Sequence, residues 1–296
     1  MIKVSRIGHL TLETPDLDRQ LDYYQRVMGL HLADRYSSSA YLCTGTGELA
    51  VVLEQGATRR CKQLAFQVPP QTDLAAAARA LSSNGIKAQT REESRPGGGK
   101  VLVFTDPNGT EIELFTAATF AKLAGPIGIA PFKLGHVAFI VDDPVVTAAF
   151  YERILGFRVS DWVERFFVFM RCGPDHHTVN FLRADGRRMH HFAFEMRDAA
   201  HLTASCDVLG REKLEIIWGP VRHGPGHNIA TYHLNTDDLM IELYTELDKM
   251  SCEDLGHFDP KPWHEDHPQR PKTWEGPGRR DVWGPAIPSN FLLQGY

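Results

Sequence analysis

Apolar and polar positions alternate along short runs of this chain, and the first such runs are followed by stretches with helical spacing. IGHLTLET, from Ile7, is an alternating apolar strand, and LDRQLDYYQRVMGL after it spaces its apolar residues three or four apart. Shorter apolar runs with turn residues between them come next. The same succession restarts at KQLAFQV (from Lys62) with LAAAARALSSNG, at LGHVAFIV (from Leu134), and at HHFAFEM (from His190). The pattern predicts an α+β chain of four modules, each a strand, a helix and three further strands (βαβββ).

Self-similarity strengthens this reading. IGHLTLETPDLDRQLDYYQRVMGL recurs as LGHVAFIVDDPVVTAAFYERILGF, so that His9 maps to His136, Tyr24 to Tyr151 and Gly29 to Gly156 at a constant offset of 127. Further on, KQLAFQV matches HHFAFEM at an offset of 128, and IELF ending at Phe115 matches IELY ending at Tyr244 at 129. The halves therefore align throughout with small insertions. Pro107-Asn108-Gly109 and the stretch Asn235 to Asp238 are turn signals before the strands carrying Glu113 and Glu242. AGPIGIAPF, Ala124 to Phe132, reads as the boundary, which predicts an N-terminal domain over 1–123 and a C-terminal domain over 133–248. After Glu246 the pattern stops. Seven prolines and three tryptophans without helical or strand period predict an irregular tail over 249–296, packed over one of the modules.

Composition removes several function classes. The 296 residues are 43% hydrophobic, enough for two ordinary domains. With 32 basic against 37 acidic residues, a net charge of −5 and no basic block, the chain lacks the electrostatic footprint of a nucleic-acid binder. No window approaches 18 apolar residues and the start lacks a signal-peptide pattern, so no membrane span is expected and a cytoplasmic location is. The five cysteines are scattered and form no C-x-x-C pair, which predicts reduced, mostly buried thiols.

The candidate chemistry lies in the second half. Two histidines and one carboxylate on one face leave three adjacent coordination positions open, the usual ligand set of non-haem iron(II) oxygenases. His136 and His191 at strand starts and Glu242 on a last strand can supply it. Their spacings, 55 and 51 residues, form no local metal motif, and only the repeat brings them together. A single histidine at a strand start is more often structural, so the weight rests on the three together. Iron(II) is the expected ion, and manganese(II) suits the same ligands.

LGHVAFIV, HHFAFEM and RHGPGHNIATYHLNTDDLMIELY resemble the three metal-binding segments of type I extradiol dioxygenases, of the vicinal oxygen chelate superfamily, similar to homoprotocatechuate and catechol 2,3-dioxygenases. The signature is a histidine, a tyrosine some nine residues on and a glutamate about ten further, here His223, Tyr232 and Glu242. Thr231 and the turn Asn235-Thr236-Asp237-Asp238 depart from it, where an apolar residue and a turn carrying proline and glycine are usual. The resemblance implies modules paired into two incomplete barrels, iron(II), a catecholic substrate with dioxygen, and a homotetrameric habit. It implies His177 as the acid–base histidine, Tyr232 as a hydrogen-bond donor to a substrate oxygen, and His223 as the group that orients it. Substrate contacts are expected from Trp218, Tyr244 and the tail pair Arg279 and Arg280, the last two in a segment resembling the family's lid. In relatives that take a carboxylated catechol an arginine stands where this chain has Trp218, so the pocket is expected to be more apolar there. Of the doublet His190-His191, His191 is the expected ligand, with His190 facing away by strand alternation. The alternatives are a glyoxalase-like isomerase, or a binding protein without catalysis on the same fold.

The first half is an internal control. Its counterparts of the three ligands are His9, Gln63 and Glu113, while Leu49 and Val103 stand where His177 and Tyr232 do. It reads as a structural copy, with a second ion unexpected.

Overall fold

The computed structural model describes residues 2–92, 98–117, 127–259, 261, 265–266, 268–276 and 281–293. In the first half, β1 (Arg6–Thr14) leads through α1 (Leu17–Asp22), extended by a π-helical turn, to β2 (His31–Arg35), β3 (Ser39–Cys43) and β4 (Leu49–Gln55). The second module is β5 (Arg60–Gln67), α2 (Leu74–Ser83), β6 (Ala88–Glu92), β7 (Lys100–Thr105) and β8 (Glu111–Phe115). The third is β9 (Lys133–Val141), α3 (Pro144–Leu155), β10 (Arg158–Val163), β11 (Phe167–Arg171) and β12 (Val179–Arg183). The fourth is β13 (Arg188–Glu195), α4 (Ala199–Arg211), β14 (Ile216–His223), β15 (Ile229–Leu234) and β16 (Met240–Thr245). The predicted βαβββ order is present four times.

Local chemistry sets the helix ends. Asp143 caps α3 by accepting from the Val145 and Val146 amides, and Pro144 occupies its first turn, where no amide donor is needed. Gly156 ends α3 with φ 73°, and its repeat partner Gly29 sits at φ 68°, so both copies turn out of their helices through the left-handed region.

In each half the first strands of the two modules are antiparallel neighbours, and each module's last strand lies parallel beside its own first. The strand order β2-β3-β4-β1-β5-β8-β7-β6 is thereby repeated as β10-β11-β12-β9-β13-β16-β15-β14. Each is an open, incomplete barrel, the edges β2 and β6 remaining unjoined in the first. The halves meet reciprocally. Asn235 donates to the Tyr24 hydroxyl at 3.2 Å, and at the repeat-equivalent place the Tyr151 hydroxyl donates to Asp106 at 3.2 Å. Asn235 also closes its own turn, accepting from the Asp237 and Leu239 amides, and Asp238 takes φ 62° where the repeat has Gly109 at φ 92°. The departure from the family turn is thus absorbed by an aspartate that tolerates the left-handed region.

The tail is irregular over most of its described residues, as expected, but it carries short strands and reaches two modules rather than one. It forms β17 (Met250–Cys252), β18 (His257–Phe258), β19 (Lys272–Trp274), β20 (Asp281–Trp283) and a 3-10 turn at Phe291–Leu293. β19 adds to β10 and β20 to β14, so the tail covers both free edges of the second sheet. Main-chain pairing to an exposed edge needs no side-chain period, which is why two- and three-residue strands left no pattern to read. The expected boundary near Ala124, and Arg279 and Arg280, lie outside the described residues. No helix among the described residues is long and apolar enough to cross a membrane.

Candidate active site

Register places the site. Across the second sheet His136 pairs with Ala193, Ala193 with Glu242, Glu242 with Tyr232 and Tyr232 with Trp218, so these five stand in one row with their side chains on one face. His191 is two residues along β13 from Ala193 and shares that face. The buried ligand atoms of His136, His191 and Glu242 lie within 4.8 Å of one another. Glu242 Oε2 is 3.1 Å from His136 Nε2 and 3.2 Å from His191 Nε2. His191 Nε2 has no aligned hydrogen-bond partner, as befits a nitrogen aimed at a shared centre rather than at the carboxylate. Burial alone would raise the Glu242 carboxyl, yet the two imidazoles hold it well below the usual range. Burial lowers His191, keeping it in the neutral form that binds metal. Three buried donors carrying one negative charge fit a divalent ion, and no other cluster of this kind occurs among the described residues.

The neighbours divide the work. His177 sits with its ring centroid 4.3 Å from that of His136, and burial pushes it well below its ordinary pKa. Tyr232 shares a 2.9 Å hydrogen bond with His223 Nε2, and burial raises the phenol well above its usual value, so it stays a donor. His223 Nδ1 is 2.9 Å from Asp281 of β20, which ties this pair to the tail. Trp218 stacks on Tyr232 with centroids 5.1 Å apart and donates to the Pro285 carbonyl. A cavity of about 540 Å³ opens over the row, walled by Val163, Phe167, Phe169, Leu182, Trp218 and Ile287. Among the described residues no lysine or arginine lines it.

Two expectations are corrected. Tyr244 does not line the cavity. It lies one pair deeper on the same face, with its ring centroid 5.0 Å from that of His136 and its hydroxyl over Gly135, where an added Cβ would come within 1.8 Å. His190 does not face away. The ladder between β9 and β13 is irregular between Met189 and His191, which breaks alternation, and His190 joins the cavity wall with Nδ1 2.7 Å from His191 Nδ1.

Three neighbours escaped the sequence reading. Asn228 donates to Glu242 Oε1 at 2.9 Å, Asp281 holds His223, and the Phe291 carbonyl lies 3.0 Å from His190 Nε2. Asn228 could have been found, because it stands five residues after His223 where the first half has Gly99. The tail contacts carried no signal. In the first half His9 Nε2 is 3.9 Å from Glu113 Oε1, while Gln63 is engaged by Thr11 and Glu111 instead.

The profile of the glyoxalase/bleomycin resistance protein/dioxygenase superfamily matches residues 6–114 and 133–243, the two halves of the repeat. The chain belongs to that superfamily. Its relatives within it include a manganese-dependent 2,3-dihydroxybiphenyl 1,2-dioxygenase from Geobacillus genomosp. 3, 23% identical over 93% of this chain and 95% of the relative. Homoprotocatechuate 2,3-dioxygenase from Brevibacterium fuscum, solved with 3,4-dihydroxyphenylacetate, superposes with a TM-score of 0.82 at 23% identity over 99% of this chain and 93% of that one. A Mn(II)-bound glyoxalase from Novosphingobium aromaticivorans superposes at 0.83 with 22% identity over 97% and 94%. Superfamily members thus place different chemistries on this fold, and the row of side chains must separate them.

Proposed function

We propose that the protein is an extradiol dioxygenase that opens a catechol ring carrying an apolar substituent. The observation that carries this is the row itself, with His136, His191 and Glu242 beside His177 and the Tyr232–His223 pair on the floor of an apolar cavity. A bound iron(II) or manganese(II) ion would supply Lewis acidity toward both catechol oxygens and a path for electrons between ring and dioxygen. Tyr232, kept protonated by burial, gives its proton to His223 Nε2 in the structure and would turn it to one substrate oxygen to favour that oxygen's anion. His223, braced by Asp281, fixes the direction of that hydroxyl. His177 stands on the other side of His136, placed to take a proton and return it as the oxygen–oxygen bond breaks. Phe167, Phe169 and Leu182 exclude water and accept the substituent, and the absence of a cation among the described lining residues disfavours a carboxylated one. A glyoxalase-like isomerase is the second reading, favoured by the manganese-bound neighbour, but it leaves His177 and the Tyr232–His223 pair without a task.

The test is anaerobic reconstitution with iron(II), and in parallel with manganese(II), followed by exposure to catechol, alkylcatechols, 2,3-dihydroxybiphenyl and homoprotocatechuate in air. A yellow ring-cleavage product with stoichiometric oxygen uptake is expected, most readily from the apolar substrates. Metal-loaded protein that consumes no oxygen with any of them would overturn the proposal.

A further inference from the structure

Behind His177 lies a second buried histidine and a buried carboxylate to which no part of the chemistry above gives a task. His177 Nδ1 is 3.0 Å from His176 Nδ1, and His176 Nε2 lies 3.2 Å from Asp161 Oδ2, off the ideal hydrogen-bond line. His176 and Asp161 are both wholly buried. Asp161 also accepts from the Lys272 amide at 2.9 Å through Oδ1 and from the Trp274 indole at 2.7 Å through Oδ2. A carboxylate taken out of water needs such partners, and the Lys272 amide and the Trp274 indole of β19 supply two, with the His176 ring beside them. The rings are fixed on other sides too. The His176 amide donates to the Asp248 carbonyl at 2.8 Å, Phe258 lies 5.0 Å from the His176 ring by centroid, and an added Cβ on Gly226 would meet His176 Nδ1 at 3.1 Å.

We propose that Asp161 and His176 are positioning residues that hold His177 in the tautomer whose Nε2 lone pair faces the cavity. Asp161 carries only acceptors, so its charge favours the proton of His176 on Nε2. His176 Nδ1 is then a lone pair. The 3.0 Å contact between the two Nδ1 atoms needs one proton, and it must come from His177 Nδ1. That leaves His177 Nε2 unprotonated and free to act as a base. The consequence reaches the tail, because β19 supplies two of the donors that hold Asp161: docking of this strand and the orientation of His177 are parts of one structure. The inference rests on the dioxygenase reading for its catalytic consequence, but the tautomer itself does not.

The full chain loaded with zinc as a diamagnetic probe gives the direct test. A long-range proton–nitrogen correlation spectrum is expected to show His177 protonated on Nδ1 in the wild type. In Asp161→Asn the new amide would donate to His176 Nε2, reverse the chain and move the His177 proton to Nε2. In the iron-loaded enzyme Asp161→Asn and His176→Leu should lose about 10- to 100-fold in kcat, with KM and bound metal within about twofold of wild type. His176→Asn, whose carbonyl can still accept from His177, should recover most of that loss. Should His176→Leu fail to fold, the wild-type and Asp161→Asn spectra still decide. A wild-type His177 protonated on Nε2, or Asp161→Asn with unchanged spectrum and kcat, would overturn the proposal. A wild type that cleaves no catechol would instead sink the dioxygenase reading and leave the spectra to judge the tautomer.

Discussion

Asn228 donates to Glu242 Oε1 at 2.9 Å, while Oε2 of the same carboxylate faces both His136 Nε2 and His191 Nε2. One oxygen is thus occupied by a neutral donor, and the other is the one that would be left to an ion held between the two imidazoles. Asn228→Ala should free the carboxylate to rotate and should weaken metal binding by about 10- to 100-fold. Competition against a coloured chelator reads this directly. An unchanged dissociation constant would mean that Glu242 is oriented by the sheet alone.

His136, His191 and Glu242 hold the ion in this reading, whereas His177 only stands beside it. His191→Ala should therefore lose bound metal on desalting together with all ring cleavage. His177→Ala should retain about one equivalent of metal and lose at least about 100-fold in kcat, the scale of one general acid–base group. Metal analysis alongside turnover separates the two. A His191→Ala enzyme with full activity would void the ligand assignment.

Trp218 and Tyr244 were both expected at the substrate, and only Trp218 lines the cavity. Trp218→Ala removes a face of the cavity and the stacking partner of Tyr232, so KM for an apolar catechol should rise about tenfold, the loss of roughly 1.4 kcal/mol of contact. Tyr244→Phe should leave KM within about twofold, since its hydroxyl points at Gly135 rather than at the cavity. Equal effects of the two substitutions would restore Tyr244 to the substrate.

The contrast between these residues shows what a sequence can carry. Module order was legible because alternation and helical spacing are properties of each element alone. The candidate ligands became legible through the duplication, since His136, His191 and Glu242 share a face only once the third and fourth modules are laid into one sheet. His190 was misplaced because alternation assumes a regular ladder, and β13 is irregular at that doublet. The tail contacts through Asp281, Trp274 and the Phe291 carbonyl depend on where a strand with no period of its own docks. Asn228 was passed over in the sequence although the first half has Gly99 at its place, and its distance to Glu242 is what shows its task.

His233 offers a measurable link between burial and acid stability. It is wholly buried on β15, with Nε2 2.7 Å from the Tyr23 hydroxyl of the other half, and burial lowers its pKa to about 3. In the unfolded chain the same imidazole takes up a proton near its ordinary value of 6.5. The unfolded state therefore binds the extra proton first, so this residue costs nothing at pH 8 and removes stability progressively as pH falls from about 6.5 toward 3. At pH 4.5 the cost amounts to about 2–3 kcal/mol. His233→Gln retains a partner for Tyr23 and cannot titrate. Its urea-unfolding free energy, compared with that of the wild type at pH 8 and at pH 4.5, should improve relative to wild type by about 2 kcal/mol on acidification. The other carboxylates and histidines cancel in that difference because they are common to both proteins. Parallel stability curves for the two proteins across this range would show that His233 is protonated in the folded state, and that the contact with Tyr23 is made by an imidazolium.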